Sequence, residues 1–136
     1  HRKGTFTLTE ARELLPIVRR ITQEHSQKAE LLISRLEALP ITSELIENLE
    51  SQVNHIIAAW HAKIKKLGAL PKGLWMVDFD AGDGYYCWKF PEKEICHWHS
   101  YEDGFTKRVR ISERHSLTAS EDLLSDMSRS HIMTPL

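Results

Sequence analysis

Apolar residues recur at steps of three and four from Leu8 through Ala11, Leu15, Val18 and Ile21, and again from Ala29 through Leu32, Leu36 and Leu39. His25 stands in register in the gap between the two runs. One face of an α-helix has that period, so the spacing predicts a single long helix over about 8–39. Its start is marked by Thr7-Leu8-Thr9-Glu10, a capping box with Thr7 as N-cap, and Phe6 is placed to staple against Ala11. Pro16 lies inside the stripe, where a kink near Arg12 to Pro16 is expected because proline lacks the N–H of the helical ladder. The stripe stops at Leu39-Pro40, and Thr42 or Ser43 is placed to cap a second helix. That helix is predicted over about 43–67 by Leu45, Leu49, Val53, Ile56, Trp60, Ile64 and Leu67. Lys63, Lys65 and Lys66 fall in its last turn, where cations suit the helix dipole, and Gly68 is the expected C-terminal cap.

Two long helices joined by a few residues form an antiparallel hairpin. After Pro71-Lys72-Gly73 the period changes to short aromatic and β-branched runs, predicting strands over about 74–79, 85–90 and 94–99 with turns at Asp80–Gly84 and Pro91–Lys93. The fold class expected is therefore α+β, a long antiparallel helical hairpin followed by a three-stranded antiparallel β-meander. Residues 1–111 make one domain, and 112–136 a C-terminal tail with a weak helical signal over 120–127. A lone hairpin covers only part of its apolar surface, so it needs a sheet, a second protomer or both; a homodimer through the hairpin is expected.

With 136 residues the chain is long enough to bury a core without disulfide or metal staples. Its 18 basic and 19 acidic residues nearly cancel, which argues against nucleic acid as a partner despite Arg19, Arg20, Lys63, Lys65, Lys66, Lys107, Arg108 and Arg110. No apolar run is long enough to cross a bilayer, and a cytoplasmic location without a membrane partner is expected. Cys87 and Cys96 are too few for a disulfide framework.

Val77-Asp78-Phe79, Cys87-Trp88, Trp98-His99, Gly104-Phe105 and Arg108 follow an opening of Phe6-Thr7-Leu8-Thr9-Glu10-Ala11 and Leu14-Leu15-Pro16. As an ordered set over residues 5–111 this resembles the bacterial family catalogued as domain of unknown function 2203. The resemblance implies an uncharacterised small protein and brings no activity, substrate or cofactor with it. Three features depart from the family's pattern: a shorter loop between Phe79 and Cys87, Asp80 where a proline is common, and His97 where tyrosine or phenylalanine is frequent.

Candidate chemistry centres on Ile95-Cys96-His97-Trp98-His99-Ser100, since cysteine with histidine is what a borderline or soft metal ion prefers. Side chains alternate along a strand, so His97 and His99 share one face while Cys96 and Trp98 share the other. A two-residue Glu92-Lys93 turn sets Trp88 opposite His97 and Tyr86 opposite His99. A Gly82-Asp83 turn adds Val77 and Phe79 to that face, placing the histidines on the apolar side and Asp78, Cys87, Cys96 and Trp98 on the other. On this register the histidines have no carboxylate or thiolate neighbour within the sheet. A third ligand must then come from His25, His55 or His61, or from Glu102 and Asp103. No metal, cofactor or catalytic residue is therefore expected, and His97 and His99 remain the only metal candidates.

Arg108 is expected to fix a loop by pairing with a carboxylate, and Phe105 to be anchored in an apolar slot by the Glu102–Phe105 turn. The favoured function is a self-associating interaction module without catalysis, with Tyr85 and Trp98 on an exposed sheet face meeting an unknown protein partner. The alternative is a small-ligand or metal-binding, enzyme-like protein using Asp78, His99 and Arg108; a weak nucleic-acid binder is the second alternative.

Overall fold

The computed structural model describes residues 4–112, so the tail from 113 onward, with its expected short helix, lies outside the described residues. Helix α1 spans Leu8–Ala38 and α2 spans Ile46–Lys66. Strands β1 (Leu70–Lys72), β2 (Met76–Asp80), β3 (Tyr85–Lys89), β4 (His97–His99) and β5 (Val109–Arg110) follow in chain order. A single 3-10 turn, Phe105–Lys107, precedes β5. The five strands form one antiparallel sheet in sequence order.

Helix α1 begins as its capping box requires. Thr7 Oγ1 accepts from the Glu10 N–H at 3.1 Å and Glu10 Oε1 accepts from the Thr7 N–H at 2.8 Å. The helix runs through Pro16 to Ala38 without a break. Phe6 packs edge-on against Phe79 of the sheet, 5.4 Å between ring centroids, and its backbone N–H donates to Asp80 at 2.7 Å, so the residue before the helix pins it to β2. Helix α2 starts later than expected. Its N-cap is Leu45, with no side-chain cap, and Ser43 instead accepts from the Leu45 N–H within the connecting turn. Its far end closes as a Schellman motif: Gly68, at φ +92°, donates to Lys65, and Ala69 donates to Ile64.

Ala11, Leu15, Val18 and Ala29 of α1 and Trp60 and Ile64 of α2 are buried with Trp75, Val77, Phe79, Trp88 and Ile95 of the sheet region. The stripes therefore meet both each other and the sheet. Polar groups along the helix seam are satisfied within it. Trp60 Nε1 donates to Thr22 Oγ1 at 2.9 Å. His25 holds Nδ1 against the Ile21 carbonyl at 2.7 Å and Nε2 toward Lys63 at 3.3 Å. Trp75 stands edge-on to Trp60 and donates to Glu30 at 3.1 Å, tying the start of β2 to both helices. Beyond that junction the hairpin projects, leaving Leu31, Ile41 and Leu45 exposed at its distal end.

The meander differs from expectation in strand number and in one register. Strand β1, which precedes the first strand expected from the sequence, is an edge strand, the one place where Pro71 costs the ladder no central hydrogen bond. Strand β5 is two residues long, too short to leave a period. The β2–β3 register is the one that a Gly82-Asp83 turn dictates, with Val77 opposite Trp88 and Asp78 opposite Cys87.

The β3–β4 register is one residue off the expected one: His97 lies opposite Cys87, Trp98 opposite Tyr86 and His99 opposite Tyr85. The cause is the connection. The chain turns between Lys89 and Glu92, where the Glu92 N–H donates to the Lys89 carbonyl at 2.8 Å. The Glu92 carboxylate accepts from the Lys89 N–H at 2.9 Å and its carbonyl accepts from Trp88 Nε1 at 2.8 Å. Residues 93–96 then run outside the ladder, with Ile95 sunk into the core and its carbonyl held by Arg12 at 3.1 Å. A shift of one residue exchanges the faces of a strand. Both histidines therefore leave the apolar side expected for them and join Asp78 and Cys87 on the face turned away from the helices.

Candidate functional site

On that outer face Asp78, Cys87 and His99 come from three neighbouring strands and are 3%, 1% and 4% exposed. Asp78 and Cys87 are direct cross-strand partners, and His99 reaches them from the row beside Tyr85. His99 Nε2 is 3.1 Å from Asp78 Oδ2, and one potential ligand atom from each of the three residues lies within 4.8 Å of the other two. The expectation that the histidines lack a carboxylate or thiol neighbour in the sheet is thus corrected. The parity of β2 and β3 already joined Asp78 to Cys87; the length of the β3–β4 connection, which no local motif marks, brought His99 to them.

The other nitrogen of His99 fixes the chemistry of the pair. Nδ1 is 2.9 Å from the Ser100 carbonyl, which only accepts, so Nδ1 carries a proton. Nε2 and the Asp78 carboxyl then face each other across one shared proton. Burial pushes the Asp78 carboxyl above the usual aspartate range, while the charge and hydrogen bond of His99 and the charge of Lys72 oppose that shift. Burial, reinforced by the charge of Asp78, pushes the Cys87 thiol up to about 12, against the pull of Arg108. At neutral pH Cys87 is therefore a thiol, and by itself no nucleophile.

The trio forms the base of a cleft of about 270 Å³ lined also by Lys72, Met76, Tyr85, Tyr101, Asp103, Gly104 and Phe105. The β4–β5 connection makes one wall, and Tyr101 is fixed there by its hydroxyl donating to Asp80 Oδ1 at 2.7 Å. Tyr85 stands between Tyr101 and His99, with ring centroids 5.0 Å and 5.4 Å away. Phe105 does not enter an apolar slot; it is half-buried beneath the Arg108 guanidinium, 4.2 Å from its ring centroid, with Lys89 at 5.1 Å.

Arg108 sits just behind the cleft, bonding both Glu92 oxygens at 3.1 and 2.5 Å. Burial of Glu92 acts against its ionisation, but the hydrogen bonds from Arg108 and the Lys89 N–H and the charge of Arg108 hold its carboxyl below the usual range. Arg108 is therefore a clamp between the β3–β4 turn and the start of β5, and it does not line the cleft. Tyr85 and Trp98, expected on one exposed face, lie on opposite faces. Tyr85 lines the cleft, whereas the Trp98 indole packs over Gly84, the one position where only a glycine leaves room for it. His97, opposite Cys87 in the ladder, is near enough to Glu92 for its charge to favour that carboxylate, and it stands outside the converging trio. His25, His55 and His61 lie on the helices, across the sheet from the trio.

The family model for an uncharacterized conserved protein, DUF2203, matches residues 4–111. The chain belongs to this family. Within it, the segments quoted from the sequence acquire positions: Val77–Phe79, Cys87–Trp88 and Trp98–His99 are three adjacent strands whose outward residues Asp78, Cys87 and His99 floor the DUF2203 cleft. No curated protein and no solved structure matches the chain. Among the described residues, no helix is long and apolar enough to cross a membrane.

Proposed function

We propose that this DUF2203 chain binds a small polar ligand in the cleft over the Asp78–His99 pair. The observation that carries the reading is a buried carboxyl 3.1 Å from an imidazole whose other nitrogen is already committed, at the floor of an open cleft. Buried ionisable pairs cost stability relative to apolar packing, and at the base of a concavity they are characteristic of binding and proton-transfer sites. At about 270 Å³ the cleft suits a ligand smaller than a drug-sized molecule. Tyr85 and Phe105 offer it aromatic sides, Lys72 a cation, and the pair one exchangeable proton. Ligand-observed NMR with small amino acids, carboxylic acids and phosphates tests this. At least one class is expected to bind the wild type and to lose binding in His99→Gln, with the fold verified by circular dichroism. Binding indifferent to His99 and Asp78, or none at all, contradicts the reading.

Self-association is a second reading, supported by a separate observation. Leu31, Ile41 and Leu45 are large and exposed, on the second half of α1 and in the connection to α2. A second hairpin packed antiparallel on the first covers such a surface as a four-helix arrangement.

A further inference from the structure

We propose that Asp78, Cys87 and His99 form a binding site for one borderline divalent transition-metal ion, of the zinc type, with its open coordination position facing the cleft. This rests on the reading of the cleft as the functional site and says what completes it. One oxygen, one sulfur and one nitrogen donor are presented by three adjacent strands of a single sheet, so their relative placement is set by the ladder and not by a mobile loop. In a tetrahedral zinc site with metal–ligand distances of ~2.0–2.3 Å, ligand atoms lie ~3.3–3.7 Å apart. Here the oxygen and nitrogen are 3.1 Å apart and all three donors lie within 4.8 Å of one another, so adjustments of about 1 Å or less, within the reach of side-chain torsions, complete the geometry.

The contact behind His99 already has the form a ligating histidine requires. Nδ1 donates to the Ser100 carbonyl, which fixes the ring and turns the Nε2 lone pair toward the other two donors whenever the shared proton leaves. The space that proton occupies between Asp78 and His99 is where a cation binds. A bound metal deprotonates a coordinating thiol outright, so the Cys87 thiol proton and the shared proton pass to solvent as the S–M, N–M and O–M bonds form. Two anionic ligands and a divalent ion then sum to zero charge in a buried place. Of the nearby cations, Lys72 lies at the rim, and Arg108, paired with Glu92, also reaches the Cys87 sulfur, where it favours the thiolate that a metal needs.

The donor set selects the ion. Calcium and magnesium prefer oxygen alone, whereas mixed nitrogen, oxygen and thiolate ligation suits zinc and its neighbours. Three protein ligands with an opening to a cleft is the arrangement of zinc sites that bind a substrate or water in the fourth position. Among the described residues the other histidines take no part, so the site shares only His99 with the His97–His99 pair that the sequence alone brings forward.

Chelator-treated full-length chain titrated with zinc by calorimetry, and with cobalt(II) by absorption, tests the site. One ion per chain is expected, with a thiolate-to-cobalt charge-transfer band. Cys87→Ser is expected to abolish the band and to weaken zinc binding by more than the ~10–100-fold that loss of a supporting contact costs, while His55→Gln changes neither. X-ray absorption on the zinc-loaded wild type needs no variant and is expected to show one sulfur at ~2.3 Å among nitrogen and oxygen at ~2.0 Å. Substoichiometric binding, a shell of nitrogen and oxygen alone, or binding that survives Cys87→Ser overturns the site. A cleft ligand that binds while zinc does not overturns the metal site alone; zinc binding at this trio with no cleft ligand supports the metal site and contradicts only the ligand reading.

Discussion

At the scale of single residues, Asp78 and His99 are not equivalent members of their pair. Removing the imidazole leaves a buried carboxylate without its main partner, whereas replacing the carboxylate by an amide gives Nε2 a neutral N–H to accept from. His99→Gln is therefore expected to cost about 3 kcal/mol of stability, and Asp78→Asn about 1 kcal/mol or less. The same His99→Gln change made on top of Asp78→Asn is expected to cost about 1–2 kcal/mol less than it does alone. Urea unfolding of the four proteins measures this, and additive costs would show that the two side chains do not share a proton. The sequence singles out Asp78, His99 and Arg108 as candidate polar positions, and the structure brings the first two together. Arg108 pairs with Glu92 of the turn and meets the trio only at Cys87, whose thiol it pulls down.

At the scale of elements, the turn between β3 and β4 decides which face the histidines occupy. Sequence patterns located both helices because each carries a stripe several turns long, and they located β2 and β3 because a Gly-rich loop sets that hairpin's register. The β3–β4 connection has no such marker. Its geometry depends on Glu92 reaching back to Lys89 and across to Arg108, and on Ile95 finding the core, all of which are tertiary contacts. Glu92 is thus the hinge of the site.

Its pKa is depressed in the folded chain, so the stabilisation it supplies is present above the unfolded value, near 4.5, and is lost as the pH falls through the lower folded value. Glu92→Gln is expected to lower stability at neutral pH by about 1–2 kcal/mol and to remove this part of the acid dependence. Stability measured from pH 7 to pH 3 checks both; a variant whose acid profile parallels the wild type would contradict the clamp.

For the whole molecule, the sheet divides the protein into two regions. One face buries Val77, Phe79 and Trp88 against the helices and carries the folding energy; the other holds a polar cleft that contributes little apolar burial. The hairpin extends past the sheet, and its exposed leucines and isoleucine lie far along the helices from the cleft. If they meet a second copy, assembly and the cleft site are separate properties. Leu31→Lys with Leu45→Lys is expected to convert a dimer into a monomer in sedimentation velocity without changing zinc or ligand binding. A wild type that is monomeric at high concentration would contradict the second reading and leave the cleft untouched. The tail beyond Glu113 plays no part in either expectation.

The pair, the cleft and the metal site all depend on the direction in which His99 presents its ring. Long-range proton–nitrogen NMR of histidine-labelled protein, with His99 assigned by loss of its signals in His99→Gln, observes both ring nitrogens at once. The predicted result is a protonated Nδ1 held by Ser100 and an Nε2 whose shift moves on Asp78→Asn and again when zinc is added. An unprotonated Nδ1, or an Nε2 indifferent to both, would contradict the pair, the cleft reading and the metal site together.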